Sequence, residues 1–186
     1  MNFLKFKRLK VSKKKFYLKL LKKQTKMVSQ ELTKEAFAPF GQYYSMDKPE
    51  GHALCGELHS FYPDRVTAPA FHNVGYSPIV VKKPAEMLIT AVEYHTTTCE
   101  MILPLNDDMI LHVAPASAGT PVPDETKAFL VPKNTLIKMN AAIWHLAPLP
   151  ANAEALNAMI ILPECTYAND CTVVDLKPEE QFVIVK

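Results

Sequence analysis

Between two apolar runs, MLITAV and MILPL, the chain places Glu93, His95 and Glu100 in the stretch EYHTTTCE, and a second histidine, His145, ends the run AAIWH farther on. Carboxylates and imidazoles are the side chains that accept protons near neutrality and hold divalent cations through oxygen and nitrogen. Their neighbours are β-formers, so the acids interrupt an apolar pattern instead of decorating a loop. Acids in such a setting need compensation, from a hydrogen-bonded histidine in the core or from a cation.

On a strand Glu93 and His95, two apart, share a face. Glu100 stands at an odd offset and joins them only if Thr96, Thr97 and Thr98 form a bend or bulge. Trp144, next to His145, must face the other way, which makes it a packing residue. His52, His59, His72 and His112 read as structural or exposed.

The elements that must position these residues are short. SQELTKEAFAPFG has the hydroxyl cap, acidic start and terminal glycine of a helix of two or three turns, packed on the outside of the domain. Beyond it come runs such as SPIVVKK, EMLITAVEYH, CEMILPL, MILHVAP, KAFLVP, LIKMN and NAMIILP, separated by Pro, Asn, Asp and Gly. That pattern predicts an antiparallel all-β sandwich or barrel, with most of the 15 prolines at the ends of strands. PLNDDM reads as a hairpin turn and APASAGTPVPDETK as a longer loop. GxGxxG, GxxxxGK[ST] and GxSxG are absent, which argues against nucleotide-binding and serine-hydrolase chemistry.

The net charge of +2 conceals an asymmetry. Residues 1–26 hold 11 of the 21 Lys and Arg and no acid, which leaves 10 basic against 19 acidic residues in 27–186. The leader is expected to be disordered or an amphipathic helix, and 27–186 a single domain, since Met27 directly precedes a domain-like start. An acidic body is repelled by polyanions, so no nucleic-acid partner is expected. There is no uninterrupted run of about 18 apolar residues, so no membrane span is expected. Cys55, Cys99, Cys165 and Cys171 form no CxxC pair, which fits reduced thiols and a cytoplasmic location.

The spacing ExHxxxxE from Glu93 to Glu100 resembles the first cupin motif, HxHxxxxE, with Glu93 at the first histidine; VPKNTLIKMNAAIWH resembles the second, ending at His145. The resemblance implies a cupin-type double-stranded β-helix, or jelly roll. It also implies that Glu93, His95, Glu100 and His145 converge in the barrel as catalytic residues and as ligands to a divalent metal (Mn, Fe, Ni, Co or Zn).

From Leu32 to Leu176 the chain is moreover similar to the ureidoglycolate lyase family of allantoin and purine catabolism, once called ureidoglycolate hydrolases. The similarity is carried by LTKEAFAPFGQYYS, VEYHTTTCEMILPL, ILHVAPASAGTPVPDETKAFLVP and IKMNAAIWHLAPL. Against the family pattern, Tyr94 and Lys127 stand where arginines are usual, Met139 where a tyrosine is, Leu146 where a second histidine is, and Glu100 where glutamine is. HALCGELHSFYPDRVTAPAFH carries no family signature.

The family reaction releases urea and glyoxylate from ureidoglycolate, which requires a base for the carbinol hydroxyl and a cation for the carboxylate. Lys138, read as an inward strand position, Lys127 and Asn140 are the candidates for binding the substrate. Two other readings stay open: a metal-binding cupin isomerase, epimerase or lyase of a sugar acid, and a noncatalytic ligand-binding cupin. Because an apolar strand edge such as NAMIILP needs covering, a homodimer is expected.

Overall fold

A computed structural model describes residues 25–69 and 72–186. The expected leader therefore lies outside the described residues, apart from Thr25 and Lys26, which already belong to a strand. In chain order the strands are β1 (Thr25–Val28), β2 (Gln30–Glu31), β3 (Gly41–Ser45), β4 (Leu54–Cys55), β5 (Ser60–Phe61), β6 (Val74–Lys82), β7 (Leu88–Ile89), β8 (Ala91–Tyr94), β9 (Glu100–Pro104), β10 (Met109–Ala114), β11 (Lys127–Val131), β12 (Thr135–Met139), β13 (Trp144–His145), β14 (Leu149–Pro150), β15 (Ala155–Pro163), β16 (Thr172–Asp175) and β17 (Phe182–Val185).

Two large sheets face each other. One has the order β3-β12-β9-β15-β6; the other runs β16-β8-β13-β10-β11-β2, with β14 also paired to β10. Between β8 and β13 the chain passes repeatedly from one sheet to the other, which is the winding of a jelly roll. Ile102, Leu111, Phe129, Ile137 and Leu156 fill the space between the sheets. A third small sheet, β1-β17-β7, covers the outer face of the second large sheet over another core that contains Ile110, Trp144, Phe182 and Ile184. The central strand β10 consequently has all six residues buried, alternate ones facing different cores. This is why MILHVA reads as a continuous apolar run rather than as an alternating one.

Three expectations are corrected here. PLNDDM is not a hairpin turn, because β9 pairs with β12 and β15 whereas β10 pairs with β11 and β13; the segment carries the chain from one sheet to the other. The helix spans only Lys34–Phe37, capped by the Thr33 hydroxyl, which accepts from the Ala36 N–H at 3.1 Å. Pro39 has no N–H with which to continue the ladder, and Phe37 turns into the barrel core against Phe129 instead. Lys138, finally, does not point inward: its neighbours Ile137 and Met139 are in the core, so it lies on the outer face opposite Gln42 and Met101. Its ammonium donates to Asn140 Oδ1 at 2.9 Å.

β3 lies unusually close to β12. A Cβ on Gly41 would sit 1.9 Å from the Lys138 carbonyl oxygen, so only glycine permits this approach beside Met139 and the strand end that carries Glu100.

Candidate metal and active site

One row of residues crosses the second sheet at one end of the barrel: Glu93 on β8 faces His145 on β13, which faces Val113 on β10, which faces Lys127 on β11. Val113 is part of the barrel core, so the row points inward. His95 continues the face of Glu93 just past β8. The Thr96–Thr98 turn then hands the chain to the other sheet, where Glu100, the first residue of β9, looks back at the same interior. The bend expected at Thr96–Thr98 is thus present, as a corner between the two sheets.

One ligand atom from each of Glu93, His95, Glu100 and His145 lies within 4.8 Å of all the others. His95, Glu100 and His145 are almost fully buried, at 1%, 4% and 2% exposure, and Glu93 is half-buried. The His95 Nδ1–H donates to the Asp170 carbonyl at 2.7 Å and the His145 Nδ1–H to the Ile143 carbonyl at 2.8 Å. Each ring therefore turns Nε2 toward Glu100, whose Oε2 is 2.9 Å from His95 and 3.2 Å from His145.

With Nδ1 fixed as donor, a neutral ring would set its Nε2 lone pair against a carboxylate lone pair. Either both rings carry a second proton, or a cation takes the place of those protons among the four donors. Two imidazole nitrogens and two carboxylates suit a divalent transition metal, and backbone carbonyls on both Nδ1 atoms are the usual outer support of such ligands. The donor set fits a metal.

The electrostatics without metal say the same. Burial works against charge on His95 and on His145, yet hydrogen bonding to Glu100 outweighs it and raises both rings above the ordinary histidine value. Burial would raise Glu100, but the hydrogen bonds from His145 and His95 bring it down to about 2. The cluster favours positive charge around Glu100.

Around this cluster stands a segment that sequence reasoning missed. A one-turn helix, Thr166–Asn169, puts the Tyr167 ring edge-on to His95 at 6.1 Å, and burial together with the charges of Glu100 and Glu93 raises the phenol's pKa. The Cys171 thiol donates to Glu93 Oε2 at 3.5 Å; burial, then the charge of Glu93, pushes it up to about 11. Asp170 accepts from the Thr96 and Thr97 N–H groups at 2.7 and 3.0 Å and from the Thr97 and Thr98 hydroxyls at 2.8 and 2.7 Å. Three consecutive threonines followed, far along the chain, by an acid in a short polar stretch were the available signal.

Of the substrate-binding candidates, Lys127 stands in the inward row, its ammonium 5.8 Å from the Phe40 ring centroid. Asn140 follows the end of β12 and is exposed, and Lys138 is turned outside. His112 faces the second core against Phe182, with Nε2 unpartnered. Trp144 lies opposite His145, as the strand period requires, its Nε1–H donating to the Ser117 hydroxyl at 2.8 Å.

A jelly roll with a two-histidine, two-carboxylate cluster at one end of the barrel defines a cupin. More narrowly, the family model described as Ureidoglycolate lyase matches residues 24–184, and the chain belongs to that family. No curated protein matches the chain in sequence. Among solved structures it is similar to oxalate decarboxylase from Bacillus subtilis, at 15% identity and TM-score 0.40, over 56% of this chain and 24% of that one. A dTDP sugar isomerase from Desulfovibrio desulfuricans aligns at 8% identity and TM-score 0.44, over 76% of this chain and 87% of its own. The chain thus spans about a quarter of the length of the decarboxylase.

Proposed function

We propose that the protein releases urea and glyoxylate from ureidoglycolate at the Glu93–His145–Lys127 end of the barrel. The observation that carries this reading is the convergence of four donor atoms within 4.8 Å inside a chain of the ureidoglycolate lyase family. A divalent cation held by His95, Glu100 and His145 would supply a Lewis acid for the oxygens of a hydroxy acid and leave the Glu93 carboxylate beside it as a base.

The side chains divide the remaining work. Lys127, in the same inward row, offers a positive charge to the substrate carboxylate. Glu93 is the base we assign: 14% of its side chain is exposed, against 5% for Glu100, whose Oε2 is engaged by two imidazoles. It takes the carbinol proton, the hydroxyl oxygen becomes the aldehyde oxygen of glyoxylate, the C–N bond breaks, and its electron pair leaves with the urea nitrogen, which gains a proton. Asn140 is exposed beyond the end of β12, where it accepts from the Lys138 ammonium, and neither has a part in this arrangement.

The open outer face of the five-stranded sheet supports a homodimer. Tyr76 and Val80 are 67% and 64% exposed and share that face with Met101, Leu103, Met159 and Ile161. β15, which carries NAMIILP, lies inside the sheet between β9 and β6 and not at its edge, so the sheet's outer face is the candidate interface. Two strands of nine residues and three of five cover about 500 Å², the larger part of the roughly 800 Å² per partner of a standard interface. The four cysteines are free thiols, in keeping with the cytoplasm. Among the described residues no helix is long and apolar enough to cross a membrane.

The test is glyoxylate release from ureidoglycolate by the purified protein with added divalent metal. His145→Ala is expected to lower the rate at least 100-fold while the protein stays folded. A folded, metal-loaded wild type that releases no glyoxylate would overturn the assignment.

A further inference from the structure

We infer that Asp170 is a positioning residue for the metal ligand His95, an inference that rests on the metal reading above. Among the described residues Asp170 is the one that hydrogen-bonds both to the His95 ring and to the Thr96–Thr98 turn. Its carboxylate takes four hydrogen bonds from the Thr96–Thr98 turn, its carbonyl takes the His95 Nδ1–H, and its own N–H donates to the Thr166 carbonyl.

The Thr96–Thr98 turn is where the chain leaves His95 on one sheet for Glu100 on the other. Asp170 thus fixes both the relative placement of two ligands and the direction in which the His95 ring faces. Without the carboxylate, nothing among these contacts holds the turn, and the carbonyl on Nδ1 is free to move. Nδ1 can then compete with Nε2 for the proton and for the metal. Cys171, the next residue, steadies Glu93 from the same segment.

The experiment compares Asp170→Ala, Asp170→Asn and a control lesion, Asp107→Ala. Asp107 also accepts several hydrogen bonds, from the Asn152 and Ala153 N–H groups and the Asn152 amide, but it clips a loop near the barrel end opposite the site. Two readouts are taken: cobalt(II) affinity from the visible absorption of the bound ion, and the His95 ring nitrogens by NMR in metal-free protein. Asp170→Ala is expected to weaken cobalt binding 10- to 100-fold and to lose the hydrogen-bonded Nδ1–H signal. Asp107→Ala should keep both, and Asp170→Asn, which retains one acceptor oxygen, should recover part of each.

Cobalt affinity within twofold of wild type in Asp170→Ala, with the Nδ1–H signal intact, would overturn the inference, as would equal losses in Asp107→Ala. If wild type itself takes up no cobalt, the metal reading fails separately. The NMR signal then decides the role of Asp170: its loss in Asp170→Ala supports positioning of the ring, and its persistence refutes it.

Discussion

His112 is the one histidine turned toward the second core, and it carries a liability that the site histidines do not. Burial, and secondarily the charge of His145, lowers its pKa to about 3, while an unfolded chain binds that proton near 6.5. Below pH 6.5 the unfolded state therefore gains protons that the folded state refuses, and this residue removes stability as the pH falls toward 3. His95 and His145 act oppositely: their raised values add stability below 6.5 that is lost as the pH climbs through the folded values. Replacing His112 with leucine isolates the first effect. In metal-free protein, the gain in unfolding free energy should be greater at pH 5 than at pH 8 by roughly 2 kcal/mol, read from denaturant midpoints at the two pH values.

Among the elements, β3 and β12 show where the pattern of the sequence stops being informative. Gly41→Ala should drive the two strands apart, because the Lys138 carbonyl has no room to retreat from a methyl at 1.9 Å. A loss of about 2–3 kcal/mol is expected, measurable by urea unfolding, with weaker metal binding because Met139 and Glu100 are register partners. The strands, the shared face of Glu93 and His95, and the opposite faces of Trp144 and His145 were legible in the sequence, since a period of two sorts residues by face once a strand is given; that the Glu93 face is the barrel interior was what the cupin resemblance implied. Lys138 was misread because an isolated alternation does not say which of its two phases is the core; only pairing with Met101 and Gln42 settles that. Asp170, Cys171 and Tyr167 escaped because they reach the site through a turn far along the chain, and local spacing carries no record of such approaches. PLNDDM misled for a related reason: turn chemistry marks a reversal of the chain but not the sheet to which the next strand belongs.

Taken whole, the molecule is unequally clothed. The β1-β17-β7 sheet covers one large sheet, while the other keeps Tyr76 and Val80 open to solvent. Val80→Asp combined with Met159→Asp is expected to convert a dimer to a monomer in light scattering behind gel filtration, with the barrel still folded; a wild type that runs as a monomer would remove the interface. The covering sheet has a mechanical consequence of its own. β1 and β17 run parallel, with Thr25 beside Phe182 and Val28 beside Val185. A pull applied between residue 25 and residue 186 would draw the two strands past each other lengthwise, loading their rungs together in shear instead of peeling them one at a time. The pair acts as a clasp on the second core, so tension along the chain would load it before it reached the cluster around Glu100.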